Sequence, residues 1–206
     1  MIEFITLPQY IDYNESISIM MDKVQDVLIH HDKIYVLLIE YSDLYTLGTS
    51  ASDKDLLDVK DAQIYKAARG GQVTYHGSGQ RVVYPILHLS HFNKDIKKYI
   101  NFLGRVLIDS LNELGIETYL SDQNIGIWTK TTNEKVASIG IKVSKWVAHY
   151  GIAINISTDL SKFSKIIPCG INHPHQTSLH NFGIQISLPE FDQIFQSRFK
   201  NNFILY

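Results

Sequence analysis

The sequence has one cysteine, Cys169, among 206 residues. A single thiol excludes a disulfide within this chain and a zinc site built from several cysteines. No run of about 18 apolar residues is present, so no membrane-spanning helix is predicted. Charge of neither sign is in excess, since 19 basic and 21 acidic residues give a net charge of −2. This balance argues against a general nucleic-acid binder, which needs a basic surface.

The N-terminal segment also lacks the basic region of a secretory signal, and we expect a cytoplasmic protein. Hydrophobic residues make up 45% of the chain and charged residues 19%, which is the composition of a globular protein. The length suffices for one sizeable core and is short for two ordinary domains. We therefore expect a single domain over residues 1–206.

Three segments have the apolar spacing of amphipathic helices. The first has Asn14 or Ser16 as its N-cap, and the second ends before Gly115, which suits a C′ position. The third opens with a capping box formed by Ser187 and Glu190, with proline between them. The predicted helices cover residues 17–28, residues 94–114, and a segment that starts at residue 187.

Short β-branched segments lie between and before these helices, and several follow one another directly. This order favours a mixed or antiparallel sheet with helices packed on it over a doubly wound parallel fold. The fold class predicted is therefore α/β of the α+β type. The predicted strands are residues 33–41, 81–87, 125–129, 135–143, 146–156 and 183–186.

Residues 69–80 contain four glycines in twelve positions. Glycine lets the backbone approach a ligand closely or adopt a positive φ. The segment matches neither the phosphate-binding loop GxxxxGK[ST] nor the dinucleotide motif GxGxxG. Two interpretations stay open from spacing alone, a glycine-rich hairpin and a ligand-binding loop.

Lys135 opens a segment in which the apolar residues Ala137 and Ile139 alternate with Ser138 and Gly140. A regular strand places Lys135 on the apolar side, whereas a bulge at Gly140 would break this register. Cys169 lies in a Pro-Cys-Gly turn. At an ordinary thiol pKa of about 8.5 only about 3% of a cysteine is thiolate at pH 7, so a reactive thiol needs a partner such as a lysine.

Cys169, His173 and His175 are close enough in sequence to consider a metal site. They form no recognised closed ligand set and no carboxylate lies nearby. We expect no metal.

The motif segments together resemble the octanoyltransferase family of lipoate biosynthesis, also called lipoyl(octanoyl) transferases. Their order and spacing are similar to the family's over about residues 40 to 180. The long segment Arg-Gly-Gly-Gln-Val-Thr-Tyr-His-Gly is the most specific of them. The matching segments are residues 45–48, 69–77, 79–80, 82–86, 126–128, 135–140, 151–155, 168–170 and 177–179.

The resemblance implies the catalytic fold of biotin and lipoate protein ligases, a mixed sheet with flanking helices. It implies an acyltransferase that moves octanoyl from acyl carrier protein to a lysine of a lipoyl domain. The acceptors would be the E2 subunits of 2-oxoacid dehydrogenases and the H protein of glycine cleavage. It implies no cofactor, and the composition predicts neither a nucleic-acid nor a membrane partner.

The resemblance also assigns site residues. Cys169 matches the cysteine that carries the acyl group, and Lys135 matches the lysine that lowers the pKa of that thiol. Two positions depart from the family, which usually has proline where Ser78 stands and histidine where Tyr150 stands. The implied acyl pocket is lined by Arg69, Gly70, Gly71, Gln72, Val73, Thr74, Tyr75 and His76, by Ser138, Ile139 and Gly140, and by Gly151, Ile152 and Ala153.

Three other functions stay open at this point. An octanoyl amidotransferase would move the chain between lipoyl-type domains and would also use a cysteine. An ATP-dependent lipoate ligase on the same fold would need no cysteine. A module that binds acyl chains or partners without chemistry would have no need of both Cys169 and Lys135.

Overall fold

A computed structural model describes residues 2–59, 62–167 and 175–206. They form a seven-stranded sheet, a three-stranded sheet and three helices, α1 (Tyr13–Ile29), α2 (Ile96–Glu113) and α3 (Leu188–Phe203). The large sheet has the spatial order β1 (Ile2–Thr6), β2 (Ile34–Ile39), β6 (Gln80–His88), β10 (Val147–Asn155), β9 (Lys135–Ser144), β8 (Gly126–Thr129) and β7 (Thr118–Ser121). The small sheet has the order β4 (Gln63–Lys66), β3 (Leu44–Leu47) and β5 (Val73–His76).

The sheets are mixed, as predicted. β1 pairs with β2 and β3 with β4 in parallel, while the other strand pairs in the described ranges are antiparallel. β6 is buried along its whole length and shows how the layers are built. Val83 and Leu87 pack in a core shared with α2 and α3, whereas Tyr84 and Ile86 pack in a second core with α1. The α+β prediction, a mixed sheet with flanking helices, is confirmed.

The helix ends agree with the sequence at two helices and differ at one. Gly115 follows α2 with φ +81°, and the side chains of Ser187 and Glu190 cap α3 reciprocally, both as predicted. The N-cap of α1 is Asp12, because its carboxylate accepts a hydrogen bond from the Glu15 N–H at 3.1 Å. The prediction of Asn14 or Ser16 as cap was therefore wrong.

One predicted strand is absent. Residues 183–186 follow a short 3-10 helix, and Gly183 ends that helix with φ +75°. Ile184 and Ile186 pack against the larger core, which explains their alternation, but the segment joins neither sheet among the described residues.

The glycine-rich segment joins the two sheets. β5 belongs to the small sheet and β6 to the large one, so the segment is not a hairpin within one sheet. Gly79, with φ +74°, turns the chain between them. The turn places β5 across the α1 side of the large sheet, where the candidate site lies. Within the described ranges, no helix is long and apolar enough to cross a membrane.

Candidate active site

A narrow cavity of about 70 Å³ lies between the glycine-rich segment and the large sheet. Strands β9 and β10 form its floor, and β5 with the residues before it forms its wall. The segments predicted to line an acyl pocket meet here, although they lie far apart in the sequence. The lining comprises Arg69, Gly70, Gly71, Gln72, Val73, Thr74, His76, Lys135, Ser138, Ile139, Gly140, Gly151, Ile152 and Ala153, with Val82, Tyr84, Ile125 and Gln176.

Tyr75 is the predicted pocket residue that does not line the cavity. It alternates with Thr74 and His76 along β5 and therefore faces the other way. Its hydroxyl donates a hydrogen bond to Asp43 Oδ1 at 2.7 Å, and its ring packs on Phe163. The prediction of Tyr75 as a pocket residue is wrong for its side chain.

Four lining residues were not predicted from the sequence. Val82 pairs with Ala153 in register, and Tyr84 lies two residues further along the same face of β6. The alternation of β6 was the available signal for these two. Ile125 was predicted to open a strand over residues 125–129, but it lies in the loop before β8, and Gln176 lies outside every predicted element.

Lys135 is only 2% exposed, as expected from its neighbours, but it faces the opposite side from that predicted. The pairing of β8 with β9 shifts by one residue at this point. Ile127 pairs with Ala137 and Trp128 pairs with Lys135, so β9 has one extra residue, a β-bulge, between Lys135 and Ala137. Ala137 therefore packs in the core with α2, while Lys135 lines the cavity. The bulge that breaks the register lies at the start of the strand rather than at Gly140.

Close contacts hold the Lys135 side chain in place. Its Nζ lies 5.6 Å from the centre of the Trp128 ring. Gly126 leaves the room it needs, because a Cβ at that glycine would lie 2.3 Å from Lys135 Cε. The Lys135 backbone N–H donates to the His175 carbonyl at 2.8 Å, and its carbonyl accepts from the Thr177 N–H at 3.0 Å.

Cys169 and His173 lie outside the described residues. The chain after them is bound to Lys135, since His175 and Thr177 both make the backbone hydrogen bonds just given. On the other side, the Ile167 N–H donates to the Asp55 carbonyl at 2.8 Å. The described segment nearest to Cys169 on its C-terminal side therefore runs along the catalytic candidate Lys135.

Arg69 braces the glycine-rich loop. Its Nη1 donates to the carbonyls of Gly70 and Gln72 at 3.1 and 3.0 Å. Its Nη2 donates to the carbonyl and the hydroxyl of Thr46 at 2.9 and 2.7 Å. These bonds fix the loop carbonyls that shape the cavity wall. Gly48 lets the loop approach β3, because a Cβ there would lie 2.2 Å from the Gly71 carbonyl oxygen.

His76 belongs to a buried chain of amide hydrogen bonds. The Gln80 amide nitrogen donates to the Tyr75 carbonyl at 3.3 Å and to Asn155 Oδ1 at 2.9 Å. Gln80 Oε1 is therefore the acceptor for His76 Nδ1 at 2.7 Å, which places the imidazole proton on Nδ1. The Asn155 amide nitrogen in turn donates to the Thr177 carbonyl at 3.0 Å, which links His76 to the segment beside Lys135.

The His76 ring is neutral at physiological pH. Burial, aided by the positive charge of Arg69, lowers the pKa of His76 to about 4. The other groups near the ring are Thr46, whose Oγ1 lies 3.4 Å from Nε2, and the Tyr41 ring. His76 is consequently a weak base in this environment.

Tyr150, which departs from the family pattern, does not line the cavity. It adopts φ +58°, and its side chain packs in the α1 core edge-on to the Tyr84 ring, 5.4 Å between centres. Its hydroxyl accepts a hydrogen bond from the Ala68 N–H at 3.4 Å. Tyr150 thus holds the start of the glycine-rich segment from the side of the α1 core. His149 is buried beside it, and burial lowers its pKa.

The chain matches the family model described as the lipoyl protein ligase A/B catalytic domain over residues 12–200. A bipartite lipoate protein ligase of Thermoplasma acidophilum has the same fold, with a TM-score of 0.77 over 98% of this chain and 82% of that one, at 15% identity. A biotin protein ligase of Aquifex aeolicus is more distant, with a TM-score of 0.56 over 98% and 69% of the two chains, also at 15% identity. The chain belongs to the lipoyl protein ligase A/B family.

Similarity in sequence is much higher to proteins named octanoyltransferase. Those of Rickettsia felis and Rickettsia africae are 46% and 45% identical over 98% of this chain and their entire length. These matches confirm the resemblance to the octanoyltransferase family that the motif segments indicated.

Proposed function

We propose that this protein transfers an octanoyl group from acyl carrier protein to a lysine of a lipoyl domain, through a thioester on Cys169. Octanoyl transfer is the activity for which the relatives at 45–46% identity are named. The observation that carries the residue assignment is the burial of Lys135 at the cavity, bound through its backbone to the segment that follows Cys169.

The cavity suits an aliphatic chain. Its apolar lining includes Val82, Tyr84 and Ala153, which belong to the core on the α1 side of the sheet. Each CH₂ group moved from water into such surroundings contributes about 0.8 kcal/mol to binding. An eight-carbon tail therefore supplies much of the affinity for the donor.

The first step loads the enzyme. The Cys169 thiolate attacks the octanoyl carbonyl, a new C–S bond forms, and the bond to the phosphopantetheine sulfur breaks. The departing sulfur takes a proton from the Lys135 ammonium. Before that step, the positive charge of Lys135 favours the thiolate and lowers the pKa of Cys169.

The second step transfers the octanoyl group from Cys169 to the acceptor lysine. The acceptor lysine attacks the thioester as a neutral amine, the C–N bond forms, and the Cys169 thiolate leaves. Lys135, neutral after the first step, takes the proton that the amine loses, which restores the starting charges. His76, which also lines the cavity, is too weak a base for this proton transfer because burial lowers its pKa to about 4. The amide product is more stable than a thioester, and no ATP is consumed.

The acceptors in this proposal are the lipoyl domains of 2-oxoacid dehydrogenase E2 subunits and the glycine cleavage H protein. The location is the cytoplasm, where the reducing environment keeps a thiol available.

The decisive experiment is intact mass spectrometry after incubation with octanoyl-acyl carrier protein. We expect one octanoyl increment, mapped to Cys169, that disappears when a lipoyl domain is added. Cys169→Ser should take up no thiol-bound octanoyl, and Lys135→Met should load at least 100-fold more slowly, whereas Lys142→Met on the same strand should load normally.

Two outcomes would contradict the proposal. Transfer that requires ATP and free octanoate, and survives Cys169→Ser, would indicate a ligase. Loading from an octanoylated lipoyl domain but not from acyl carrier protein would indicate an amidotransferase.

A further inference from the structure

The cavity extends along β9, and its two ends are lined by different residues. Lys135 and Gln176 lie at one end together with His76, which the amide chain connects to Thr177. Gly140 lies five residues further along β9, at the end where the Gly70 N–H donates to the Ile141 carbonyl at 3.0 Å. The reacting end of a bound acyl chain is therefore at Lys135, and its methyl end points toward Gly140.

A second, wider cavity of about 390 Å³ begins where the first one ends. The two share six lining residues, among them Gly70, Gln72, Ile125 and Gly140. The second cavity is an open groove and adds the side chains of Ile100 from α2 and Ile141 from β9. We call it the distal groove.

The strand pairing explains the distal groove. β8 begins at Gly126, which pairs with Ser138, so β9 has no β8 partner beyond that residue. The loop before β8 and α2 stand apart from β9 there and leave the groove between them. Its lining is mixed, since four isoleucines are accompanied by Ser50, Gln72, Gln123 and Asn124.

We propose that the distal groove receives the methyl end of acyl chains longer than eight carbons, so that the acyl pocket has no closed end. This inference rests on the proposed function. An extended octanoyl chain is about 10 Å long, equal to about three residues of strand, and from Lys135 it ends beside Ser138 or Ile139. Two to four further carbons extend past Ile139 to Gly140 and enter the groove beside Ile100.

Length selection by this enzyme is then gradual. A closed pocket rejects one extra carbon pair by steric clash, whereas an open groove accepts it and removes part of its surface from water. Full burial favours binding by about four-fold per CH₂, and a half-open groove gives less. We expect the wild-type protein to use decanoyl and dodecanoyl donors within about ten-fold of octanoyl.

The test compares octanoyl- and dodecanoyl-acyl carrier protein as donors to one lipoyl domain, measured as kcat/KM. Ile100→Trp fills the groove and is expected to lower the value for dodecanoyl at least ten-fold while that for octanoyl changes less than two-fold. Ile100→Ala should raise the dodecanoyl value. Ile96→Trp, one turn earlier on the same helix and 42% exposed in the native protein, is the matched control and should change neither value.

Three results would overturn the inference. Wild-type protein that uses octanoyl but rejects dodecanoyl more than 100-fold has a closed pocket. Equal loss with both donors in Ile100→Trp, or no effect on either, shows that the groove does not hold the chain. Absence of octanoyl transfer by the wild-type protein would instead remove the proposed function, and this inference with it.

Discussion

His76 shows how burial sets the charge of a titratable side chain, because its hydrogen bond to Gln80 opposes the fall in pKa without reversing it. Gln80 is a neutral acceptor for His76 Nδ1, and its amide nitrogen is fixed by Tyr75 and Asn155. A neutral acceptor offsets little of the cost of charging the ring in the interior. The pocket therefore presents a neutral imidazole, and the positive charge that acts on that ring belongs to Arg69.

Gln80→Glu is predicted to change the pH profile. A carboxylate beside Nδ1 favours the protonated ring, so the pKa of His76 should rise from about 4 into the range between pH 5 and 8. We expect no His76 titration in that range in the native protein, whereas the variant should gain one in kcat/KM and in the NMR shift of the His76 ring protons.

Gln80→Met is the control for this prediction, because it removes the hydrogen bond without adding charge. It should lower activity without a new ionisation. A His76 ring in Gln80→Glu that still titrates below pH 5 would contradict the prediction.

At the scale of elements, the bulge at the start of β9 is the feature that places Lys135. Without it Lys135 would share the face of Ala137 and lie in the core with α2. The bulge and the close approach of Gly126 act together, since β8 must come near enough for Trp128 to contact the lysine.

Gly126→Ala is predicted to displace Lys135. The added Cβ would lie 2.3 Å from Lys135 Cε and 2.6 Å from the Ala137 carbonyl oxygen, so either the side chain or the strand must move. We expect octanoyl transfer to fall at least ten-fold and the free energy of unfolding to fall by about 1–3 kcal/mol.

Gly115→Ala is the control that separates the loss of octanoyl transfer from the loss of stability. Gly115 has φ +81°, and a Cβ added there would have no neighbouring atom within 4 Å, so alanine strains only the backbone. The cost of that strain is about 1–2 kcal/mol. Its activity should be normal after correction for the folded fraction. Normal activity in Gly126→Ala would show that Lys135 tolerates displacement.

At the scale of the whole molecule, α3 is tied to the large sheet by a buried ion pair. Arg81 on β6 donates from Nε and Nη2 to the two carboxylate oxygens of Asp192, at 2.8 and 3.0 Å. Both side chains are less than 10% exposed. The same helix contributes Phe191, Phe195 and Phe199 to the larger core, so the pair also sets the position of that core layer.

Arg81→Met is predicted to destabilise the protein strongly. It leaves the Asp192 carboxylate buried without its partner, which typically costs about 3–5 kcal/mol. Urea unfolding measures the change. The double variant Arg81→Met with Asp192→Leu removes the stranded charge and should recover most of the loss, and a single-variant loss below about 1 kcal/mol would refute the argument.

The sequence predicted the three helices, five of the ten strands in the described residues, and most of the positions around the cavity, whereas β1, β3, β4, β5 and β7 were not predicted. Helix α3 was readable because its capping box uses residues three positions apart, and the strands because β-branched alternation is local. The family motifs indicated pocket positions that, Tyr75 apart, all lie around one cavity, since those motifs keep their spacing within single segments. Patterns of this kind involve only residues close together in the sequence, so they can be recognised without the tertiary structure.

The direction in which certain side chains face, and the space beyond the pocket, depend on contacts between distant segments. The bulge that turns Lys135 arises from the pairing of β9 with β8, and the positive φ of Tyr150 turns its ring into the α1 core. The distal groove exists because α2 and the loop before β8 stand apart from β9. Each of these features depends on contacts between segments that are distant in sequence. Such contacts produce no periodic pattern of residues within a single segment, so the sequence does not predict them.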